Sequence, residues 1–162
     1  MNYWTRPARD EDMEQILALN DLAFGGRDES RIVTALEKSG DSLLSLVASD
    51  EVRIVGHAQF FRIRVDGAPV AVGLGPMSVH PSVQQRGIGG GLIRMGMLAL
   101  EGRGENLFFV LGHPSYYPRF GYSAEAAAPF TCEWSGPAFM AMRLDAAAPE
   151  AGALAYPAAF GA

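Results

Sequence analysis

One stretch of this chain gathers the residue types that hold phosphate. It runs from Leu74-Gly75-Pro76-Met77-Ser78-Val79 through His80-Pro81-Ser82-Val83-Gln84-Gln85-Arg86 to Gly87-Ile88-Gly89-Gly90-Gly91 and the apolar Leu92-Ile93. A strand ends, a loop follows, and glycines open an amphipathic helix. The first turn of a helix leaves N–H groups without partners and carries partial positive charge, so it attracts anions. Glycines let such N–H groups curl around a phosphate with no side chain in the way. Of two common phosphate loops one is excluded and the other is disfavoured, although nucleotide binding through this loop stays open as a third reading. A Walker loop needs G-x-x-x-x-G-K-[ST], and the chain has no Gly-Lys-Ser or Gly-Lys-Thr. A dinucleotide loop needs G-x-G-x-x-G directly after a strand. Here Leu92 stands where the third glycine belongs, and His80 to Arg86 separate the glycines from the strand. The pattern that is met is Q-x-x-G-x-G, by Gln84, Gly87 and Gly89.

Other reactive side chains are dispersed. Three histidines and one cysteine have no zinc-ligand spacing, so no metal site is expected. His57 falls inside a predicted strand and reads as a satisfied histidine, while His80 reads as a loop residue. Asp28, Glu29 and Arg31 read as a solvated helix face, and Cys132 as a small hydrophobe. No nucleophile, base and orienting group form a set, and no general base is assigned.

The elements that must position the glycine loop follow from periodicity. Tyr3 to Pro7 reads as a first strand. Asp10 is the expected N-cap of a helix reaching Phe24, with Ile16, Leu17 and Leu19 on its apolar side. A second helix is expected from Asp28 to Lys38. Strands are expected at Leu43–Ala48, Val52–Val65 and Pro69–Val79, the last two joined by an Asp66-Gly67 hairpin turn. Gly73, Gly75 and Pro76 inside the third of these predict a bulge or a close approach to the backbone. A helix from Gly87 to about Glu101 precedes a buried strand at Leu107–Leu111. Phe139 to Leu144 reads as a final strand, and the tail from Asp145 has no assignment. The order gives a mixed α/β layered structure.

The chain of 162 residues, 49% hydrophobic and 19% charged, fits one globular domain over 1–162 with a core that needs no disulfide. A net charge of −5 argues against general nucleic-acid binding. No signal core or long apolar span occurs in the sequence, which predicts no membrane insertion and a cytoplasmic location.

Beyond the six-residue motif, Met77-Ser78-Val79-His80-Pro81 and the run Leu111-Gly112-His113-Pro114-Ser115-Tyr116-Tyr117-Pro118-Arg119-Phe120-Gly121-Tyr122 give a wider match. Together these segments resemble the GNAT superfamily of acyl-CoA-dependent N-acetyltransferases, and the second, with Tyr156-Pro157-Ala158-Ala159-Phe160, resembles a bacterial subgroup of it. The resemblance is strong over about residues 74 to 122. It implies a central, mostly antiparallel sheet with a V-shaped splay between the fourth and fifth strands, holding acetyl-CoA. It implies that the CoA pyrophosphate sits on the N–H groups of Gln84, Gln85, Arg86, Gly87, Ile88, Gly89 and Gly90. The pantetheine arm would run along Met77, Ser78 and Val79. Tyr117, four residues before Gly121, would donate to the leaving sulfur, with Tyr116 packing or touching the cofactor. His113 stands where many relatives carry asparagine. The region around Glu29 would shape the acceptor pocket, and a homodimer is open. The implied activity is acetyl transfer to a small-molecule or peptide amine by direct attack. The competing reading is a CoA-binding domain that senses acyl-CoA without turnover.

Overall fold

The computed structural model of the chain describes residues 2–161. In chain order the elements are β1 (Trp4–Pro7), α1 (Met13–Phe24), α2 (Asp28–Ser39), β2 (Ser42–Ser49), β3 (Ile54–Val65), β4 (Ala68–Val79), α3 (Ile88–Gly102), β5 (Leu107–Leu111), α4 (Ala124–Ala127), β6 (Phe130–Thr131), β7 (Phe139–Arg143) and β8 (Gly152–Ala155).

Three expectations are corrected. Asp10 does not cap α1: Asp10–Asp12 form a 3-10 turn and the α-helix begins at Met13. Asp12 is the working residue there, because its carboxylate accepts the Arg9 N–H at 2.7 Å and pairs with Arg6 at 2.6 Å. Val52 lies outside β3, since the Asp50 carboxylate accepts the N–H groups of Val52 and Arg53 at 2.8 Å each and folds them into a turn. The unassigned tail contributes β8, whose Leu154 and Ala155 pair with Val65 and Arg64 at the end of β3. β8 also carries the two-residue β6 alongside it. Neither short strand has enough apolar alternation of its own to be read from sequence.

The main sheet runs in the order β1-β2-β3-β4-β5-β7. All neighbours are antiparallel except β4 and β5, which are parallel. That one parallel pair decides the architecture. It spans only Val72–Leu74 against Phe108–Val110, after which the two strands part. The parting coincides with a bulge in β4. Register against β3 steps from Phe60↔Leu74 to Ala58↔Met77, so Gly75 and Pro76 together oppose Gln59. Gly75 has φ of 148°, a value that side chains rarely adopt, which is why glycine stands there.

Alternation along the strands divides the core between two faces. Phe60, Val72, Leu74, Phe108 and Val110 pack with Ile88, Leu92, Ile93 and Leu100 of α3. On the other face lie Phe61, Ile63, Ala71 and Phe109 with Leu36 of α2. Ile16 and Leu19 of α1 pack with Val33, Val47 and Ile54. α3 lies unusually deep on the sheet: the Phe60 ring occupies the space a Cβ on Gly96 would need, 2.2 Å away. This close seating fixes the helix start beside the end of β4.

Candidate active-site cleft

Where β4 and β5 part, a cleft of about 850 Å³ opens. Its floor is Met77 and Val79 of β4, one wall is the start of α3, and the other is the segment after β5 that carries Tyr116, Tyr117 and Phe120. On one side Met77 to Val79 pair with Ala58 to Gly56 of β3. On the other side β5 has already turned away, so their outer backbone edge has no strand partner.

The wall at α3 has an unusual property. Among the described residues, every backbone N–H from Gln84 to Gly90 lacks a hydrogen-bond acceptor, and the first bonded amide is Gly91, which donates to Gly87 at 3.0 Å. Gly87 sits in the left-handed region at φ of 81° and has no capping side chain. Gln85 shares the left-handed geometry at φ of 64°. The loop is held by Gln84, whose side-chain amide donates to the Val79 carbonyl at 3.2 Å. Consecutive free N–H groups at the positive end of a helix form a receptor for a phosphate pair.

The opposite wall is aromatic. Tyr116 packs edge-on against both Tyr117 and Phe120, with ring centroids 5.1 and 5.3 Å apart. The Tyr117 ring lies directly over Gly112, where a Cβ would come within 2.3 Å of it. Burial pushes the Tyr117 phenol up to about 12, with the neighbouring Tyr116 adding to the shift. The phenol is therefore protonated at any pH the protein meets. Tyr116 reaches across the cleft: its hydroxyl and the Met77 methyl both lie 3.4 Å from where a Cβ on Gly89 would stand.

Most sequence-predicted site residues come together here. Met77, Val79, Gln84, Gln85, Gly87, Ile88, Gly89, Gly90 and Tyr117 all line the cleft. Ser78 and Arg86 do not line it. The Ser78 side chain is buried, sharing a cross-strand pair with His57, so only its backbone is available to the cleft edge. Phe24, at the start of the Phe24–Arg31 region expected to shape the acceptor side, lines the cleft, while sequence reasoning gave no cleft role to Arg94, Arg119 or Phe120. Arg94 was legible in principle, because a helical side chain leans toward the N-terminus and Arg94 is four residues beyond Gly90.

Two of the three histidines are held by other contacts, and among the described residues only His113 lines the cleft without a hydrogen-bond partner for its ring. His57 is fully buried; the Asn20 amide donates to its Nδ1 (3.1 Å), which leaves Nε2–H to donate to Gln59 (3.1 Å). Burial holds its pKa down to about 4. His80 accepts the Ser82 N–H on Nδ1 at 3.1 Å and touches Arg53 at 3.2 Å, so it caps a turn. His113 lines the cleft. Glu29 is a half-buried residue of the first turn of α2 and does not line the cleft.

Residues 5–124 match the family model described as an acetyltransferase (GNAT) domain. The chain is 39% identical over 116 residues to the uncharacterized N-acetyltransferase YjhQ of Escherichia coli K12, a match covering 68% of this chain and 64% of YjhQ. It therefore spans less than two thirds of that relative. With YhbS of the same organism it is 31% identical over 127 residues, 77% of this chain and 76% of YhbS. Among solved structures, a GNAT family acetyltransferase from Brucella melitensis in complex with acetyl-CoA aligns at TM-score 0.86 and 34% identity over 98% of both chains. Escherichia coli YhbS in complex with CoA aligns at TM-score 0.92 and 27% identity, covering all of this chain and 93% of that one. By sequence match and by fold, the chain belongs to the GNAT acetyltransferase family.

Proposed function

We propose that this protein transfers an acetyl group from acetyl-CoA to a primary amine of a small molecule or peptide, by direct attack of the amine on the thioester. The observation that carries the reading is the run of unpartnered N–H groups from Gln84 to Gly90, whose residues, Arg86 excepted, line the cleft where β4 and β5 separate. These donors fit the pyrophosphate of CoA, and the free edge of Met77–Val79 fits the amide-bearing pantetheine arm as an added strand. The acetyl-CoA and CoA bound by the Brucella melitensis and YhbS structures support the same ligand.

The chemistry then falls to few groups. The attacking nitrogen forms the new C–N bond while the C–S bond breaks and the sulfur leaves as thiolate. A thiol titrates near about 8.5, well below the Tyr117 phenol pushed up to about 12. Full proton transfer from Tyr117 to the thiolate is therefore uphill. Tyr117 acts instead as a neutral hydrogen-bond donor that stabilises sulfur as charge develops on it. An alkyl amine, with a pKa of about 10, enters after losing its proton to solvent. Among the described residues no carboxylate lines the cleft to take that proton.

Free-thiol release from acetyl-CoA, measured against a panel of amines, tests the reading. At least one amine is expected to raise release far above hydrolysis. Release that no primary amine accelerates would contradict amine transfer and favour a domain that only binds CoA.

A further inference from the structure

The cleft carries charge of one sign at its mouth. Arg94 on α3 and Arg119 on the opposite wall both line it, and among the described residues neither has a carboxylate within ion-pair reach. Both guanidinium groups are parked on the same aromatic cluster. Arg94 lies 4.8 Å from the Phe120 ring centre, and Arg119 lies 4.6 Å from that of Tyr116. Arg119 is further fixed by its Nε–H, which donates to the Tyr116 carbonyl at 3.0 Å. One Arg94 terminal nitrogen stands 3.2 Å from where a Cβ on Gly90 would be, beside the first turn of α3.

Stacking orients a guanidinium and leaves its N–H edge free, which suits bidentate capture of a phosphate. The N–H groups of the loop already provide for the pyrophosphate. Two unpaired arginines flanking that site exceed what a pyrophosphate requires in a protein whose net charge is −5. Resting on the CoA reading above, we infer that Arg94 and Arg119 form a two-sided clamp for a third phosphate group, the 3′-phosphate of CoA. The clamp makes the protein select CoA over ligands that carry the same arm and pyrophosphate without that phosphate. Because both side chains are exposed, the preference is screened by salt.

Calorimetric titration with CoA and with 3′-dephospho-CoA tests this without reference to turnover. At low salt the native protein is expected to bind CoA about tenfold more tightly, the scale of one exposed charge-assisted contact pair. R94Q/R119Q should bind the two ligands equally, with its affinity for dephospho-CoA within about twofold of native. R94K/R119K should keep part of the preference and reports whether charge or stacking is at work. Equal binding of both ligands by the native protein overturns the clamp while leaving the CoA reading intact. Equal weakening of both ligands in R94Q/R119Q also overturns it, because the arginines then serve the pyrophosphate. If the native protein binds neither ligand, the CoA reading fails and the clamp fails with it.

Discussion

Tyr117 and His57 show how burial gives two ionisable residues different tasks. Burial raises the Tyr117 phenol and keeps its proton on, which makes it a donor at every accessible pH. Tyr117→Phe is expected to lower kcat by about 10- to 1,000-fold, the range for losing one donor to developing charge, with CoA affinity within about twofold. Steady-state rates with calorimetry check this, and an unchanged kcat would remove Tyr117 from the chemistry. For His57 burial lowers the pKa to about 4, against an ordinary 6.5. Between those values the unfolded chain binds a proton that the folded chain refuses, so stability rises with pH across the window and is lost as pH falls from 6.5 toward 4. The full difference is about 3 kcal/mol. Urea unfolding at a series of pH values should show a flatter dependence for His57→Gln between pH 4 and 6.5. Equal slopes would mean that His57 titrates normally. The Asp12 carboxylate, held below its ordinary value chiefly by its hydrogen bonds to Arg6, also loses its contribution as pH falls, but it does so equally in both proteins and cancels in the comparison. Legibility at this scale was uneven. Gln84, Gly87 and Gly89 announce themselves by spacing. Tyr117 was identified only through the family pattern, because nothing in its local sequence distinguishes it from Tyr116. The resting place of the Arg94 guanidinium was not legible, because it is a ring from a different segment, Phe120.

At the scale of elements, the cleft depends on two close approaches. α3 sinks onto the sheet where Phe60 meets Gly96, which aims its first turn at the end of β4. The segment after β5 folds back so that Tyr117 covers Gly112, whose amide donates to the Ala138 carbonyl at 3.0 Å beside β7. A Cβ at residue 112 would overlap the Tyr117 ring, so Gly112→Ala must displace that ring. The expected result is a kcat loss comparable with that of Tyr117→Phe, with CoA binding retained. Native kcat in Gly112→Ala would show that the position of the Tyr117 ring does not matter. The periodic elements were legible: β5 was read at its observed limits, and α2, α3 and β4 to within a residue or two at each end. The bulge in β4 followed from Gly75 and Pro76 interrupting a strand. What periodicity could not supply was the helix start at Met13, decided by the Arg6–Asp12 pair, and the short β6 and β8, decided by tertiary pairing alone.

For the whole molecule, charge and topology act together. The net charge is −5, yet among the described residues the charged side chains that line the cleft are Arg94 and Arg119, with no carboxylate beside them. Composition excluded a broad basic surface but was silent about this local reversal, since a sum over the chain carries no positional information. Topology supplies the opening. One parallel pair in an otherwise antiparallel path ends after three residues of contact on each strand, and a cleft forms at the parting. The central claim is that the N–H groups from Gln84 to Gly90 receive the CoA pyrophosphate. The most direct measurement is amide nuclear magnetic resonance of the nitrogen-15-labelled protein during titration with CoA. The account predicts that the amide signals of residues 84 to 90 move most, together with those of 77 to 79. If CoA binds while the amides of 84 to 90 stay in place and another surface responds, the proposed site is wrong.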